Sequence, residues 1–249
     1  MELGLVIFIF GSIVGSFLNV VIYRLPAGKS IVFPPSECGN CGHRLGFLDL
    51  IPIISYLLQK GRCRHCGTKF SIQYPLVEFL TGLLFLALYW KFNLGIEFYL
   101  YLVLASLLIS ATFIDFKHQI IPNKLTYSGI IFGISSSLYF DHIGFRWALL
   151  GFLIGGGFLL LVAIASRGGM GVGDVKFAAL IGTFIGPTQT FVGIILGALI
   201  GSVVGIALIV TKQIGGKDRI PFGPLIALGT LLMIFFGDSI IDLYWSIVL

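Results

Sequence analysis

The chain has 249 residues, of which 57% are hydrophobic and 11% charged, with a formal net charge of +5. Soluble domains carry about a quarter charged residues, so this composition excludes an ordinary soluble globule. It points to an all-α polytopic membrane protein embedded in a lipid bilayer, in which the basic excess reports topology and no nucleic acid is expected as a partner.

Apolar runs broken by polar and Pro/Gly punctuation predict about eight transmembrane helices, at 3–23, 74–90, 98–114, 124–140, 146–165, 175–187, 190–211 and 222–240. The first run lacks a basic stretch before it and a small-residue cleavage site after it, so it reads as a retained span. The sixth is short for a hydrocarbon core of about 30 Å and is expected to be tilted, broken or sunk in a cavity. If the first loop is cytoplasmic, every basic residue except Lys91 and Arg146 falls on that side, Arg167, Lys217 and Arg219 included. That asymmetry fits the positive-inside rule and puts the N-terminus outside. The expected organisation is a first span (1–23), a small cytoplasmic loop domain (24–73) and a membrane domain (74–249).

All four cysteines lie in the loop, as "CGNC" (38–41) and "CRHC" (63–66), two C-x-x-C knuckles 21 residues apart. Four thiolates in paired knuckles suit tetrahedral Zn²⁺, and Gly39, Gly42 and Gly67 permit the tight turns. With no open coordination position, such a metal would be structural. A pair of disulfides is the competing reading and conflicts with a reducing cytoplasm; a redox pair is another, and the duplicated knuckle favours metal over it. His43, His65, Glu37 and Asp49 read as solvated loop residues.

Two aspartates stand at predicted span ends, Asp115 in "IDFKHQIIPN" and Asp174 in "GMGVGDVKFAALIG". Ionisable residues at membrane depth are candidates for function. The bland alternatives are a helix N-cap for Asp174 and a salt bridge to Lys117 or Lys176 for Asp115. Two carboxylates brought together can share one proton, so that one activates water while the other protonates a carbonyl. Gly171 and Gly173 would let the backbone turn and a substrate strand approach, with Gly168 and Gly169 extending that segment. Gly193, Gly197 and Gly201 follow small-xxx-small spacing and read as helix packing. Paired aspartates in broken helices also serve ion-coupled transporters, and a zinc-bearing membrane scaffold is a third reading.

These residues, with "GSFLNVVIYRLP" (15–26), "ISYLLQKGRCRHC" (54–66), "YPLVEFLTG" (74–82) and "PFGP" (221–224), resemble the bacterial type IV prepilin peptidase family of GxGD aspartic proteases, nearly end to end. The resemblance implies that Asp115 and Asp174 are catalytic and that Cys38, Cys41, Cys63 and Cys66 hold zinc. It implies cleavage of the basic leader from prepilins or pseudopilins after a glycine, at the cytoplasmic face of the bacterial plasma membrane. It further implies N-methylation of the new terminal residue, usually phenylalanine, with S-adenosylmethionine. A peptidase without the methyltransferase is the alternative. No cofactor fingerprint marks the methyl-donor site; Glu78 and 15–26 are its weak candidates.

Overall fold

The chain folds in this computed structural model as a series of helices: α1 (Glu2–Arg24), α2 (Ile54–Leu58), α3 (Gln73–Phe92), α4 (Ile96–His118), α5 (Asn123–Tyr139), α6 (Phe145–Ala165), α7 (Val172–Val210) and α8 (Gly223–Val248). The structure describes residues 2–140, 142–166, 169–213, 215 and 220–248. Arg167, Gly168, Lys217 and Arg219, invoked above, lie outside the described residues. Among those residues there are two isolated β-bridges and no named strand. Six helices, α1, α3, α4, α6, α7 and α8, are long and apolar enough to cross a bilayer. At 17 residues α5 rises about 25 Å, the lower end of what a hydrocarbon core needs. The chain is an all-helical, multi-pass membrane protein.

Two compact units divide it, Met1–Ser110 and Ala111–Leu249. In the first, α1 and α3 pack antiparallel along a seam of small residues. A Cβ on Gly11 would lie 2.8 Å from the Gly82 Cα, and one on Gly15 would lie 2.7 Å from the Glu78 Cα. Such glycines let two backbones approach more closely than larger side chains allow.

The second unit is built around α7, where two of the expected spans meet. The segments 175–187 and 190–211 are two helices that meet at Gly186, with φ 77° and ψ 178° just before Pro187. Glycine adopts that backbone readily and proline cannot continue the helical hydrogen bonding. The chain reverses there. A Cβ on Gly155 of α6 would meet both the Ala178 carbonyl, at 2.5 Å, and the Thr190 Cγ2, at 2.8 Å. In a continuous helix positions 178 and 190 would stand about 18 Å apart. The first half of α7 therefore runs antiparallel to α6 and the second half runs back beside it. Every residue from Phe177 to Pro187 is buried, which makes the short sixth span an interior helix, apolar on all sides. Phe132 of α5 stacks on Phe184, centroids 6.1 Å apart, and Gly151 of α6 meets Gly182 backbone to backbone. Gly182→Ala would push a methyl into that contact and is expected to lower stability by about 1–3 kcal/mol, read as a lower thermal midpoint in detergent. The second half packs on α8 through Gly193, Gly197 and Gly201, which face Gly229 and Leu225. Those three glycines serve helix packing, as their spacing predicts.

Candidate active site and metal centre

The two cysteine knuckles have matching backbones. In the first, the Cys38 N–H donates to the His43 carbonyl and the Gly42 N–H to the Cys38 carbonyl, both at 2.9 Å. In the second, the Cys63 N–H donates to the Thr68 carbonyl and the Gly67 N–H to the Cys63 carbonyl, again both at 2.9 Å. Gly42 (φ 67°) and Gly67 (φ 71°) occupy equivalent left-handed positions, where a Cβ would be strained. The turns bring the four Sγ atoms within 4.8 Å of one another. Cys38 and Cys66 Sγ lie 3.7 Å apart, close to the ~3.8 Å edge of a tetrahedron with Zn–S bonds of about 2.3 Å and far beyond a disulfide's ~2.05 Å. All four are free thiols, so the disulfide reading falls. The cluster is one that could hold a metal ion. Beside it, the Thr68 hydroxyl and amide hold the Cys66 thiol down at about 5, and the amides of Cys41 and Asn40 lower Cys38. Both effects favour thiolates at Cys38 and Cys66, while desolvation and the neighbouring thiols of Cys66, Cys38 and Cys63 push Cys41 up to about 11.

The His43 and His65 rings lie against each other with centroids 3.4 Å apart and planes tilted by 32°, outside the ligand set. Asp49 departs from the solvated reading. Its Oδ1 lies 3.2 Å from Arg64 Nε and accepts from Gln59 Nε2 at 3.0 Å, while its Oδ2 accepts the Gly46 N–H at 3.0 Å. It ties the second knuckle to the residues between the two.

In the second unit, Asp115 lies in the last turn of α4 and is 5% exposed. Its Oδ2 accepts the Gly223 N–H at 2.9 Å, across 108 positions of sequence. Neither Lys117 nor Lys176 forms an ion pair with it among the described residues. Lys176 Nζ donates instead to Asn123 Oδ1 at 2.8 Å and lies 5.2 Å over the Tyr127 ring. That contact pins the "IIPN" turn to the start of α7.

Asp174 is not the N-cap. Gly171 holds that position, and Asp174 is the third residue of the helix, its carboxylate reaching back to the Gly171 amide. This is half of a capping box. Gly171 has φ −73°, open to any residue, so no left-handed turn is made there. What matters is the missing Cβ, which would stand 3.2 Å from Asp174 Oδ2. Gly173 likewise leaves room for Ile121, whose Cβ would lie 3.3 Å from a Cβ there. Ile121 in turn reaches Gly223, its Cδ1 3.2 Å from where a Cβ would be. Asp115, Ile121, Gly173, Asp174 and Gly223 thus form one neighbourhood, and Asp174 senses the charge of Asp115 directly.

Gly223 was legible in the sequence only as part of "PFGP", with no role attached. A Cβ on it would lie 2.8 Å from Asp115 Oδ2. Gly223→Ala is expected to displace that carboxylate and cut any chemistry the pair performs by about 10²-fold, with helical circular dichroism retained.

Two aspartates brought together where α4 ends and α7 begins, both helices long and apolar enough to cross a bilayer, define an acid-pair site. The family model described as Bacterial Peptidase A24 N-terminal domain matches residues 9–92, and the Type IV leader peptidase family model matches residues 102–206. A prepilin leader peptidase/N-methyltransferase of Bacillus subtilis is 36% identical over 239 residues, 96% of each chain. One of Myxococcus xanthus is 40% identical over 216 residues, 84% of this chain and 64% of its own. One of Aeromonas salmonicida is 31% identical over 275 aligned positions, 98% of this chain and 94% of its own. No solved structure matches. The chain belongs to the type IV leader peptidase family.

Proposed function

We propose that the protein is a prepilin leader peptidase whose catalytic pair is Asp115 and Asp174, with N-methylation of the cleaved product as its second activity. The observation that carries the cleavage reading is the convergence of Asp115, Gly223, Ile121, Gly173 and Asp174 where α4 ends and α7 begins. One carboxylate takes a proton from water, which attacks the scissile carbonyl; the other, protonated, donates to the carbonyl oxygen. The Gly223 amide fixes Asp115 Oδ2 and so leaves Oδ1 to hold or pass the proton. Gly171 and Gly173 form the lip over which the substrate strand approaches.

Peptidase function is assigned to 74–249. The 24–73 loop is assigned a structural zinc held by Cys38, Cys41, Cys63 and Cys66, whose spacing fits that ion. The charge asymmetry supports an N-terminus outside and an active site facing the cytoplasm. A prepilin or pseudopilin, with its basic leader in the cytoplasm and its apolar helix in the bilayer, presents its scissile bond at that edge. S-adenosylmethionine, when bound, would supply the methyl group, as the names of the relatives imply. The test is incubation of purified protein with a prepilin and S-adenosylmethionine. Mass spectrometry should find leader loss and a product heavier by one methyl; leader loss alone would leave a peptidase only.

A further inference from the structure

Glu78 is a buried carboxylate that cleavage leaves unused. It lies on the α1–α3 seam, its Cα against Gly15. Its Oε2 accepts the Ile53 N–H at 2.7 Å, and the Ser16 hydroxyl bonds the same carboxylate. Two donors fill two of about four acceptor positions on a carboxylate, and no cation is among them. Ile53 is held at φ 63°, ψ −51°, a backbone that a β-branched residue adopts only under constraint. Strain of this kind gathers where surrounding structure enforces a functional geometry.

One turn along the same seam, Asn19 is 3% exposed. Its Nδ2 donates to the Tyr74 carbonyl at 3.0 Å and the Gly15 carbonyl at 3.3 Å. Two carbonyl partners fix which end of the amide is nitrogen, and Oδ1 is left buried with no donor. A buried acceptor without a donor is destabilising and calls for an explanation. The seam therefore offers a charged acceptor and an orphan neutral one, with spare lone pairs and no cation of the chain's own. A protonated primary amine, with three N–H donors and one positive charge, is the complement. Leu76 (44% exposed) and Phe79 (46% exposed) flank Glu78 on α3 and suit an amine carried on an apolar segment.

We propose that Glu78 and Asn19 bind the α-ammonium group of the processed pilin and ready it for methylation, an inference that rests on the N-methylation reading above. Glu78 takes one proton from the ammonium: an N–H bond breaks, an O–H bond forms on the carboxylate, and the nitrogen is left with the lone pair a methyl acceptor needs.

The probe is a synthetic apolar peptide beginning with a free N-terminal phenylalanine, compared with its N-acetylated twin, on the full-length protein in detergent. The free amine should bind about 10- to 100-fold more tightly, the range of a hydrogen bond to a charged group. In Glu78→Gln, which keeps an oxygen for the Ile53 amide, that preference should vanish while binding of the acetylated peptide stays. Equal affinity of the two peptides for the unaltered protein overturns the proposal whether or not the variant folds. So does a Glu78→Gln protein that loses S-adenosylmethionine binding by calorimetry but keeps the preference for the free amine. Prepilin cleavage by the unaltered protein is scored separately, so failure of the family reading is told apart from failure of this site.

Discussion

Asp115→Asn and Asp174→Asn are each expected to reduce leader cleavage by about 10³-fold or more, and the double replacement to do little further harm. Residues that act as one device lose nearly everything with the first member, so their effects are far from additive. The geometry argues for a device of this kind. Asp115 is oriented by the Gly223 amide, Asp174 by the Gly171 amide, and the Asp115 charge acts on Asp174. Asparagine keeps size and hydrogen bonding at both places, so insertion into the membrane and the α4 and α7 helices should persist. The measurement is cleavage of a prepilin in detergent beside circular dichroism of the same samples. Substantial cleavage by Asp174→Asn would reduce that residue to its capping role at the third position of α7.

The second large effect concerns the thiol cluster. Protein purified without chelator should carry about one zinc per chain, and Cys38→Ser or Cys63→Ser should abolish stoichiometric binding. Both residues are buried, so each replacement also removes a packed group from its knuckle. Metal must be held by thiolates, so protons compete with it: zinc should be retained at neutral pH and released on acidification. The sign follows from the chemistry, since falling pH fills the sulfur lone pairs that the metal needs. Loss of metal should expose 30–70 to protease while α6 and α7 stay protected. Elemental analysis and limited proteolysis give the two readings, and a fully occupied Cys63→Ser protein would refute this ligand set.

Much of this was legible because apolar runs and their punctuation are local signals. The Gly/Pro break before 190 was visible and separated two spans there; that Gly155 packs against both sides of the break was not, since it is a tertiary contact. Asp115 and Asp174 stood out as charges where charges are rare. The groups that orient them did not, because the Gly223 amide is a backbone atom met across 108 residues. The N-cap alternative weighed for Asp174 misses by about one helical turn: the residue sits at the third position of α7, where it caps in the reverse sense. Glu78 was only a weak candidate in sequence, since its partner Ile53 offers a backbone amide rather than a recognisable side chain.

The turn-back at Gly186 bears on how the enzyme tolerates its surroundings. A helix that crosses a bilayer must match its thickness, by tilting or by deforming the lipid when the two differ. The first half of α7 is sheathed by protein from Phe177 to Pro187 and has no lipid to match. Asp174, near its start, is therefore set at a depth dictated by protein packing, against α5, α6 and the Ile121 turn. Cleavage should accordingly proceed at similar rates in short-chain and long-chain lipid vesicles.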